Sequence, residues 1–441
     1  MMGMKKEQSR RKRRGFVLPL TVTMIVLLTV MGLSLQRLGS GARMQAVWAT
    51  TQITATAAAD AGFTNAMYEM NKNLDVKPWN FSDITSPMGE VLPNTNANYT
   101  YTVEKIVKDS EYKITSIGRS GRAAKTVSAT VKVQGGFDYP IFAQGYALPK
   151  RPKAPKRLPG APKPLKKGGK LEIKGYNVDS YSSDPSQAYS GTIQLRTNNK
   201  HKKSVKLRED VVINADIIVG PGGDPDKVIE MKDGAVVTGD AYAATERWEL
   251  LSVSLPGNMS NQPLKEYEYK DNVPIAGVNK YTELKIPRGK VQEIRGNCEI
   301  YVVGNVKVED EAQLILTENS SLVLYVGGEK FEVKKKSGGL INETKDPKKL
   351  LIYGMDGCRK VKIENENVGD FYGAVYAPFA KVEMKTTGDL YGAFAGWEVK
   401  LKKKKGGENG TFYFDRSLRI DNVAATDDLA VRFVVEGWHE E

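Results

Sequence analysis

The sequence predicts a long N-terminal transmembrane α-helix with a small α+β head, followed by an all-β region that forms a right-handed parallel β-helix, or solenoid. Three observations predict this fold class. Residues 16–35 carry no charged side chain and follow a strongly basic leader. Residues 36–73 are rich in alanine and contain no proline. From residue 171 onward, short β-type runs alternate with glycines and include a repeat near 20 residues.

The basic leader and the apolar segment predict a membrane anchor. In residues 1–15, seven Lys and Arg residues stand against Glu7, which gives a charge of +6. The segment from Phe16 to Leu35 is long enough to cross a bilayer, and the leader should stay on the cytoplasmic side. A cleaved secretory signal is the alternative, because "LSLQRLGSGARMQA" contains small residues. An uncleaved single-pass anchor is another.

The helix is predicted to continue beyond the membrane to residue 73. A stripe of apolar and small residues recurs there at steps of three and four, as on one face of an amphipathic helix. This continuation favours a retained anchor over a discarded signal. The stripe comprises Met44, Val47, Trp48, Thr51, Ala55, Ala58, Ala59, Phe63, Met67 and Met70.

These N-terminal residues resemble a type IV prepilin, and more closely a PilX-type minor pilin. The resemblance rests on "RRGFVLPLTVTMIVLLTVMGLSLQR", on "ARM" at 42–44 and on "AAADAGF" at 57–63. It implies cleavage by a prepilin peptidase between Gly15 and Phe16, with Phe16 to Leu35 kept as the anchor. It also implies a bacterial inner-membrane protein whose partners are other pilin or pseudopilin subunits and the assembly platform. The C-terminal bulk would be periplasmic, or extracellular in a filament.

One position departs from the pattern of the main filament subunits. Those subunits usually carry glutamate at the fifth mature position, where this chain has Leu20. The difference favours a minor or tip-type subunit over the principal one.

The region that follows the helix, residues 74–134, is predicted to be a small antiparallel β, pilin-like head. Residues 98–133 alternate apolar and polar side chains, with breaks at "KDSE" and "GRSGR". This pattern is typical of three antiparallel strands packed on a helix.

Residues 135–170 are predicted to be a Pro/Lys-rich linker that keeps two domains apart. Residues 149–170 hold nine Lys and Arg residues and no acid, and residues 147–170 contain six prolines. Because the whole chain carries +13, the leader and this linker account for its basicity and the remainder is close to neutral. Nucleic-acid binding is therefore disfavoured, although "KHKKSVK" (200–206) and "KKKK" (402–405) keep it as an alternative.

Residues 171–415 are predicted to form the β-solenoid, and residues 416–441 a C-terminal tail. Tyr-Gly pairs at Tyr353, Tyr372 and Tyr391 are spaced by 19 residues, so these tyrosines are predicted to form a ladder on adjacent coils. Residues 242–290 break the rhythm and are expected to leave the repeat.

This region also resembles a domain of uncharacterised function that is commonly found behind PilX-type N-termini. The resemblance suggests a surface module and supplies no reaction. The matching stretches are "VDSYSS" (178–183), "VGPGGDPDKVI" (219–229), "VGNVKV" (303–308) and "DFYGAVYAPFAKV" (370–382).

The residue types that support catalysis are sparse. His201 and His439 lie far apart in the sequence, and Cys298 and Cys358 allow one disulfide or two free thiols. Asp224 and Asp226 are weak candidates for a metal site, with a tight capped turn as the alternative. The sequence thus predicts no catalytic residue and no cofactor, although some parallel β-helices act on polysaccharides.

Taken together, the sequence predicts a minor pilin-like subunit of a type IV pilus or a type II secretion-like filament. It would display the solenoid for assembly or surface adhesion. A DNA- or polysaccharide-binding surface protein is the main alternative, and a polysaccharide-active β-helix enzyme is a more distant one.

Overall fold

The computed structural model describes most of the chain as one long helix, an antiparallel sheet and a larger set of parallel strands. The described residues are 17–73, 84, 89–106, 111–145, 168–183, 192–245, 247–334, 338–365, 369–403, 408–418 and 430–440.

Helix α1 (Val17–Asn73) is continuous over 57 residues, which confirms the predicted long apolar N-terminal helix. Its first two thirds are exposed, whereas its last third lies against the antiparallel sheet. The contact face consists of small or apolar residues at helical spacing, namely Ala55, Ala58, Ala59, Phe63, Ala66 and Met70.

The antiparallel sheet contains the three strands expected from residues 98–133. They alternate apolar and polar residues, so that one face is buried against α1 and the other faces outward. A short strand extends the sheet at one edge. The strands are β1 (Glu90–Val91), β2 (Asn98–Lys105), β3 (Glu111–Ser120) and β4 (Ala123–Gly135).

The parallel strands between residues 141 and 415, which we call the stack, occur in two runs along the chain. The N-terminal run consists of β5 (Ile141–Ala143), β6 (Leu171–Lys174), β7 (Tyr176–Tyr181), β8 (Gln194–Thr197), β9 (Val205–Arg208), β10 (Val212–Ile213), β11 (Asp216–Val219), the short helix α2 (Pro225–Val228), β12 (Ile229–Met231), β13 (Val236–Val237) and β14 (Ala241–Ala243).

The C-terminal run begins with the short helix α3 (Gly257–Ser260) and ends with a 3-10 turn at Arg416–Leu418; another such turn lies at Pro347–Lys349. Its strands are β15 (Leu264–Lys265), β16 (Val278–Tyr281), β17 (Leu284–Ile286), β18 (Val291–Ile294), β19 (Asn297–Val302), β20 (Val306–Val308), β21 (Gln313–Leu316), β22 (Ser321–Val326), β23 (Lys330–Val333), β24 (Gly339–Asn342), β25 (Leu350–Gly354), β26 (Lys360–Asn365), β27 (Phe371–Thr386), β28 (Leu390–Lys403) and β29 (Gly410–Asp415).

The stack strands pair in parallel with strands one repeat further on. We call a series of strands that pair in this way a column, and the strands of one repeat a coil. The first column runs β15, β16, β19, β22, β25, β27, β28, β5, β8, β11, β14. The second runs β17, β20, β23, β26, β27, β28, β6, β9, β12. Further pairings join β18, β21 and β24, and join β27, β28, β29, β7, β10 and β13. The region after the head is therefore mostly β with parallel sheets.

Spatial order in the stack differs from chain order. The chain enters at β5 in the middle of the stack, and the N-terminal run proceeds to one end at β12 and β14. The C-terminal run starts at the opposite end and returns to the middle, where β28 and β29 pair with β5, β6 and β7. The last strands of the C-terminal run thus pair with the first strands of the N-terminal run.

A connecting segment, residues 247–263, which we call the strap, joins the two ends of the stack. The backbone N–H and C=O of Trp248 both bond the side-chain amide of Asn198, at 3.1 and 2.6 Å. Further along, the carbonyl of Leu251 accepts from the Tyr376 hydroxyl at 3.0 Å. The expectation that residues 242–290 leave the repeat is therefore correct for the strap, most of which follows the stack surface. It is wrong for residues 264–286, where β15, β16 and β17 pair within the columns.

Both ends of the predicted linker, residues 135–170, belong to the folded part of the protein. Residues 141–143 form β5 of the stack, and Phe137 is buried. A Cβ placed on Gly145 would lie 2.7 Å from the carbonyl oxygen of Gly169, so the two ends of the intervening segment are in contact. Such a segment cannot hold two domains apart. Residues 146–167 themselves lie outside the described part of the chain.

The predicted C-terminal tail contributes the strand β30 (Ala430–Glu440), which pairs antiparallel with β4. Phe433 packs edge-on against Tyr112, and Trp438 against Phe63, with ring centroids 5.6 and 4.8 Å apart. The stack is consequently inserted in the chain between two neighbouring strands of the head sheet.

Candidate functional site

The exposed part of α1 is the most unusual surface of the protein. Between Leu18 and Leu38 its large apolar side chains are each at least 55% exposed, and they point in every direction around the helix. By length and composition this helix could cross a membrane. A surface of this kind requires a lipid or protein partner, because water does not accommodate so large an apolar patch.

The hydroxyl side chains within this apolar segment have partners inside the helix. Thr23 donates to the Pro19 carbonyl at 2.6 Å, Thr29 to the Ile25 carbonyl at 2.7 Å, and Ser34 to the Val30 carbonyl at 2.8 Å. In a hydrocarbon environment an unpaired hydroxyl would be costly, so these bonds suit the segment to a bilayer or to a packed helix bundle.

The packed part of α1 approaches the sheet at backbone contact distance. A Cβ on Gly118 of β3 would collide with the carbonyl oxygen of Ala55 and the amide nitrogen of Ala59. A Cβ on Gly62 of α1 would in turn meet the hydroxyl of Ser116. The "AAADAG" segment therefore fixes the helix on the sheet, because only small residues fit there.

Some of the predicted processing and anchor residues precede Val17, the first described residue, and others follow it. Gly15 and Phe16 lie outside the described residues. Leu35, at the end of the predicted anchor, and Leu20, at the predicted fifth mature position, are exposed on α1.

The structure places Asp224 and Asp226 in a capped turn. Asp224 accepts a hydrogen bond from the Asp226 amide at 3.2 Å and pairs with Lys227 at 2.7 Å. The hydrogen bond to Lys227 lowers the pKa of Asp224 from its ordinary value. Among the described residues no group of three or more His, Cys, Asp or Glu could hold a metal ion. The turn accounts for this pair of aspartates.

The predicted tyrosine ladder divides into two columns. Tyr372 and Tyr391 are register partners and stack with centroids 4.4 Å apart, and Tyr413 continues the ladder at 5.0 Å. Tyr353 instead pairs with Tyr376 and stacks on Tyr325 at 5.4 Å. The spacing of 19 residues between 353 and 372 was therefore misleading, because coils differ in length. Since stacked rings cover one another's faces, these tyrosines fit a structural ladder.

The outer face of the second column carries a line of charged side chains that was not predicted from the sequence. We call this line the charged column. Each strand there contributes a triplet in which one Lys or Glu lies between two apolar residues, as in Val399-Lys400-Leu401. The charged residues pair in register, and their sign alternates from the second member onward; the order is Lys285, Lys307, Glu332, Lys362, Glu383, Lys400, Glu172, Lys206 and Glu230. Recurrence of such triplets in the sequence was the signal that could have revealed this column.

The charged column also joins the two runs of the stack. Lys400 of β28 lies 3.3 Å from Glu172 of β6. Burial raises the pKa of Glu172, but Lys402 and Lys400 outweigh it and the pKa is lowered overall. At the end of the column, a hydrogen bond from Lys203 and the charges of Lys203, Lys232 and Lys206 outweigh desolvation and lower the pKa of Glu230 to about 2.

The two cysteines are buried and free. Burial raises the pKa of the Cys358 thiol to about 12 and raises that of Cys298 as well. Thiols that are protonated and buried in this way are inert packing groups.

Comparison with known proteins finds a family model that matches part of the stack. The family model for DUF7305, a domain of unknown function, matches residues 280–421, about a third of the chain. This span corresponds to the C-terminal run from β16 onward. It includes the stretches 303–308 and 370–382 on which the resemblance was based, whereas 178–183 and 219–229 lie outside it. No curated protein gave a significant match.

Among solved structures, the competence-associated pilin ComZ from Thermus thermophilus is similar at 13% sequence identity. The comparison covers 89% of this chain and 98% of that chain, with a TM-score of 0.27. A TM-score this low does not indicate a shared fold.

Proposed function

We propose that the chain is a minor pilin-like structural subunit of a type IV pilus or of a related type II secretion-like filament. The observation that carries this proposal is the division of α1 into a part that is apolar and exposed on all sides and a part packed on its own sheet. The first part is suited to a membrane before assembly and to neighbouring helices after it. The proposal is structural and assigns no reaction to the chain.

The length of the apolar surface favours protein partners in addition to lipid. A bilayer core of about 30 Å is spanned by about 20 helical residues, which Phe16 to Leu35 already supply. Beyond Leu35, the side chains of Leu38, Met44, Trp48 and Ile53 are still exposed. Packing against the helices of other subunits would bury them.

The finer parts of the proposal come from the N-terminal sequence and the repeat. They are a PilX-type N-terminus, prepilin peptidase cleavage between Gly15 and Phe16, and insertion by the inner-membrane assembly platform with the leader in the cytoplasm. The stack would form a closed right-handed solenoid, displayed in the periplasm or on an extracellular filament for assembly or adhesion. The basic leader and the parallel columns support these points.

The experiment that tests the proposal is the mass of the N-terminal peptide from membrane-purified protein, with and without prepilin peptidase. We expect a peptide that begins at Phe16, lost when the peptidase is absent. A Gly15→Leu variant should block cleavage, whereas Gly3→Leu, in the same leader, should not. An intact leader in all samples would contradict the proposal and leave an ordinary anchored protein.

A further inference from the structure

The two basic motifs of the stack lie on the same face of it. Lys206 of "KHKKSVK" (200–206) is on β9, and Lys402 and Lys403 of "KKKK" (402–405) are on β28. β6 pairs with both of these strands, so only one strand separates the two motifs. The near-neutral charge of the folded remainder therefore conceals a local concentration of cations on the outer face of the second column.

Beside the charged column runs a second line of side chains, two residues further along each strand. We call its last five members the basic row. Four of them are register partners on neighbouring strands, and the fifth follows Met231 at the end of β12, one strand beyond β9. The basic row comprises Lys385, Lys402, Lys174, Arg208 and Lys232. Because neighbouring strands are about 4.8 Å apart, the row is about 19 Å long.

The same line alternates in sign before the basic row begins. Where it passes β20, β23 and β26 it consists of Glu309, Lys334 and Glu364, and Lys334 pairs with Glu309. From Lys385 onward, five cations follow one another without an acid. Like charges directly opposite each other on neighbouring strands destabilise a sheet, whereas opposite charges stabilise it. The stability of the stack therefore does not explain the basic row, and a local rule broken in this way is typical of a functional surface.

The same face carries a shorter run of like charge along its other edge. This run has three lysines in register and ends at an acid. Its members are Lys330, Lys360 and Lys381, followed by Glu398. Because the basic row is longer and its end is not closed by an acid in the row, it is the stronger candidate for a binding surface.

The acids that contact the middle of the basic row do not neutralise it. Lys402 lies 3.7 Å from Glu172, which Lys400 also contacts at 3.3 Å. Lys174 has a closer partner, Glu209, at 2.7 Å, just beyond the end of β9. Two carboxylates thus face three lysines.

The end of the row at β12 has a larger excess of positive charge. Glu230 is shared by four cations, two of which, Arg208 and Lys232, belong to the row and lie 3.4 and 3.6 Å from it. The Glu230 side chain is only 8% exposed, whereas that of Lys232 is 51% exposed. The carboxylate therefore lies below the cations, and an anion that arrives from solvent meets the cations first.

We propose that the basic row binds an acidic polysaccharide, an unbranched polymer that carries a carboxylate on every sugar. One sugar of such a chain is about as long as the separation of neighbouring strands, so carboxylates recur along the polymer as cations recur along the row. Four of the five cations are lysines, whose compact charge on a flexible stem can follow such a line without a fixed geometry. The inference does not rest on the pilin-like role, because the row lies on the stack and not on α1.

The composition of this face favours a polysaccharide over a single-stranded nucleic acid. Proteins that bind single strands combine a basic groove with aromatic rings on which the bases stack. No aromatic residue occurs in β6, β9 or β12, or in the second-column parts of β27 and β28, residues 381–386 and 398–403. The face thus offers cations without a stacking platform.

The test is binding of the full-length protein, in a non-ionic detergent, to a fluorescently labelled oligogalacturonate, measured by fluorescence anisotropy. We expect binding at low salt that weakens as salt is raised, because a bound polyanion releases its counterions. A labelled dextran, which is a neutral polysaccharide, should not bind. Lys402→Gln combined with Lys232→Gln should weaken binding by about threefold to tenfold. Both changes should leave the fold intact, since Glu172 keeps Lys400 and Glu230 keeps three other partners.

Lys270→Gln combined with Lys285→Gln is the matched control. It removes the same charge, and each of these lysines is held by an ion pair at 3.9 Å. The control should change the affinity by less than about twofold, because exposed charges far from the row are screened. Equal losses in the two double variants, or no binding of the oligogalacturonate at low salt, would overturn the proposal. So would tighter binding of a labelled thymidine oligonucleotide, which would assign the row to phosphates. None of these outcomes depends on cleavage after Gly15, so the peptidase experiment decides the pilin-like role separately.

Discussion

The antiparallel head sheet and the parallel stack differ in how neighbours in space relate to neighbours in the chain. β2, β3 and β4 follow one another closely in the chain, and each pairs with the next. In the stack, each strand pairs across a whole coil, and the last coil of the C-terminal run pairs with the first coil of the N-terminal run. Local turns determine the first arrangement, whereas contacts between distant residues determine the second.

The two regions also achieve close packing by different means. The head brings a helix backbone against a sheet backbone, so its critical residues are those with no side chain or only a methyl group, such as Gly118 and Ala59. The stack aligns side chains in columns, so its critical residues are those that repeat from coil to coil. Substitutions should therefore act on the head through collision and on the stack through loss of contacts.

The largest effect is expected from Gly118→Val in the head. The new side chain would collide with the backbone of α1, which cannot move as a flexible side chain can, and the free energy of unfolding should fall by about 3 kcal/mol. Gly41→Val is the control, because nothing lies within 4 Å of a Cβ on Gly41. Thermal unfolding with limited proteolysis of the head measures the difference. Equal stability of the two variants would contradict the backbone contact.

A smaller effect is expected from Asn198→Ala, which releases the strap from the stack. Asn198 is buried, and the change leaves the N–H and C=O of Trp248 without their partner, so a loss of about 2 kcal/mol should follow. Asn258 lies in the same strap, is exposed and bonds Glu299 of β19. Asn258→Ala should therefore cost no more than about 0.5 kcal/mol. Urea unfolding of both variants tests whether the strap is held mainly at Trp248.

Acidification should weaken the stack through its charged column. The folded-state pKa of Glu230 is about 2, below its ordinary value, so the stability it contributes is present near neutral pH and is lost as pH falls from about 4.5 towards 2. Region-resolved hydrogen exchange between pH 6 and pH 3 should show increasing exchange in β9 and β12. Glu230→Gln should reduce that pH dependence. An unchanged dependence in this variant would assign the effect to other groups.

The smallest effect is expected from Tyr391→Leu in the tyrosine ladder. Tyr391 stacks on Tyr372 and Tyr413, and loss of these ring contacts should cost about 1 kcal/mol. Tyr68→Leu, on the exposed surface of α1, should change the free energy of unfolding by less than about 0.5 kcal/mol. Calorimetry of the two variants is sufficient, and a larger loss at Tyr68 would contradict the assignment of Tyr391 to the ladder.

The sequence was informative where structure depends on local pattern. The apolar period of α1 predicted the helix. The alternation of apolar and polar side chains in residues 98–133, with breaks at "KDSE" and "GRSGR", predicted the three antiparallel strands. The spacing of Tyr353, Tyr372 and Tyr391 indicated parallel coils but placed Tyr353 in the wrong column, because coil length varies. Pairing of β30 with β4, and of β28 with β5 and β6, depends on residues far apart in the chain, which a local pattern does not report.

The insertion of the stack between β4 and β30 has a mechanical consequence. Both chain connections to the stack leave from adjacent strands of one sheet, and β30 packs beside the part of α1 that holds the sheet. Tension applied along α1 would pass into the helix–sheet contact and would reach the stack through the connections that follow β4 and precede β30. The stack would then lie outside the path along which the force is transmitted, so a pull on the anchor would not separate its coils one after another from an end.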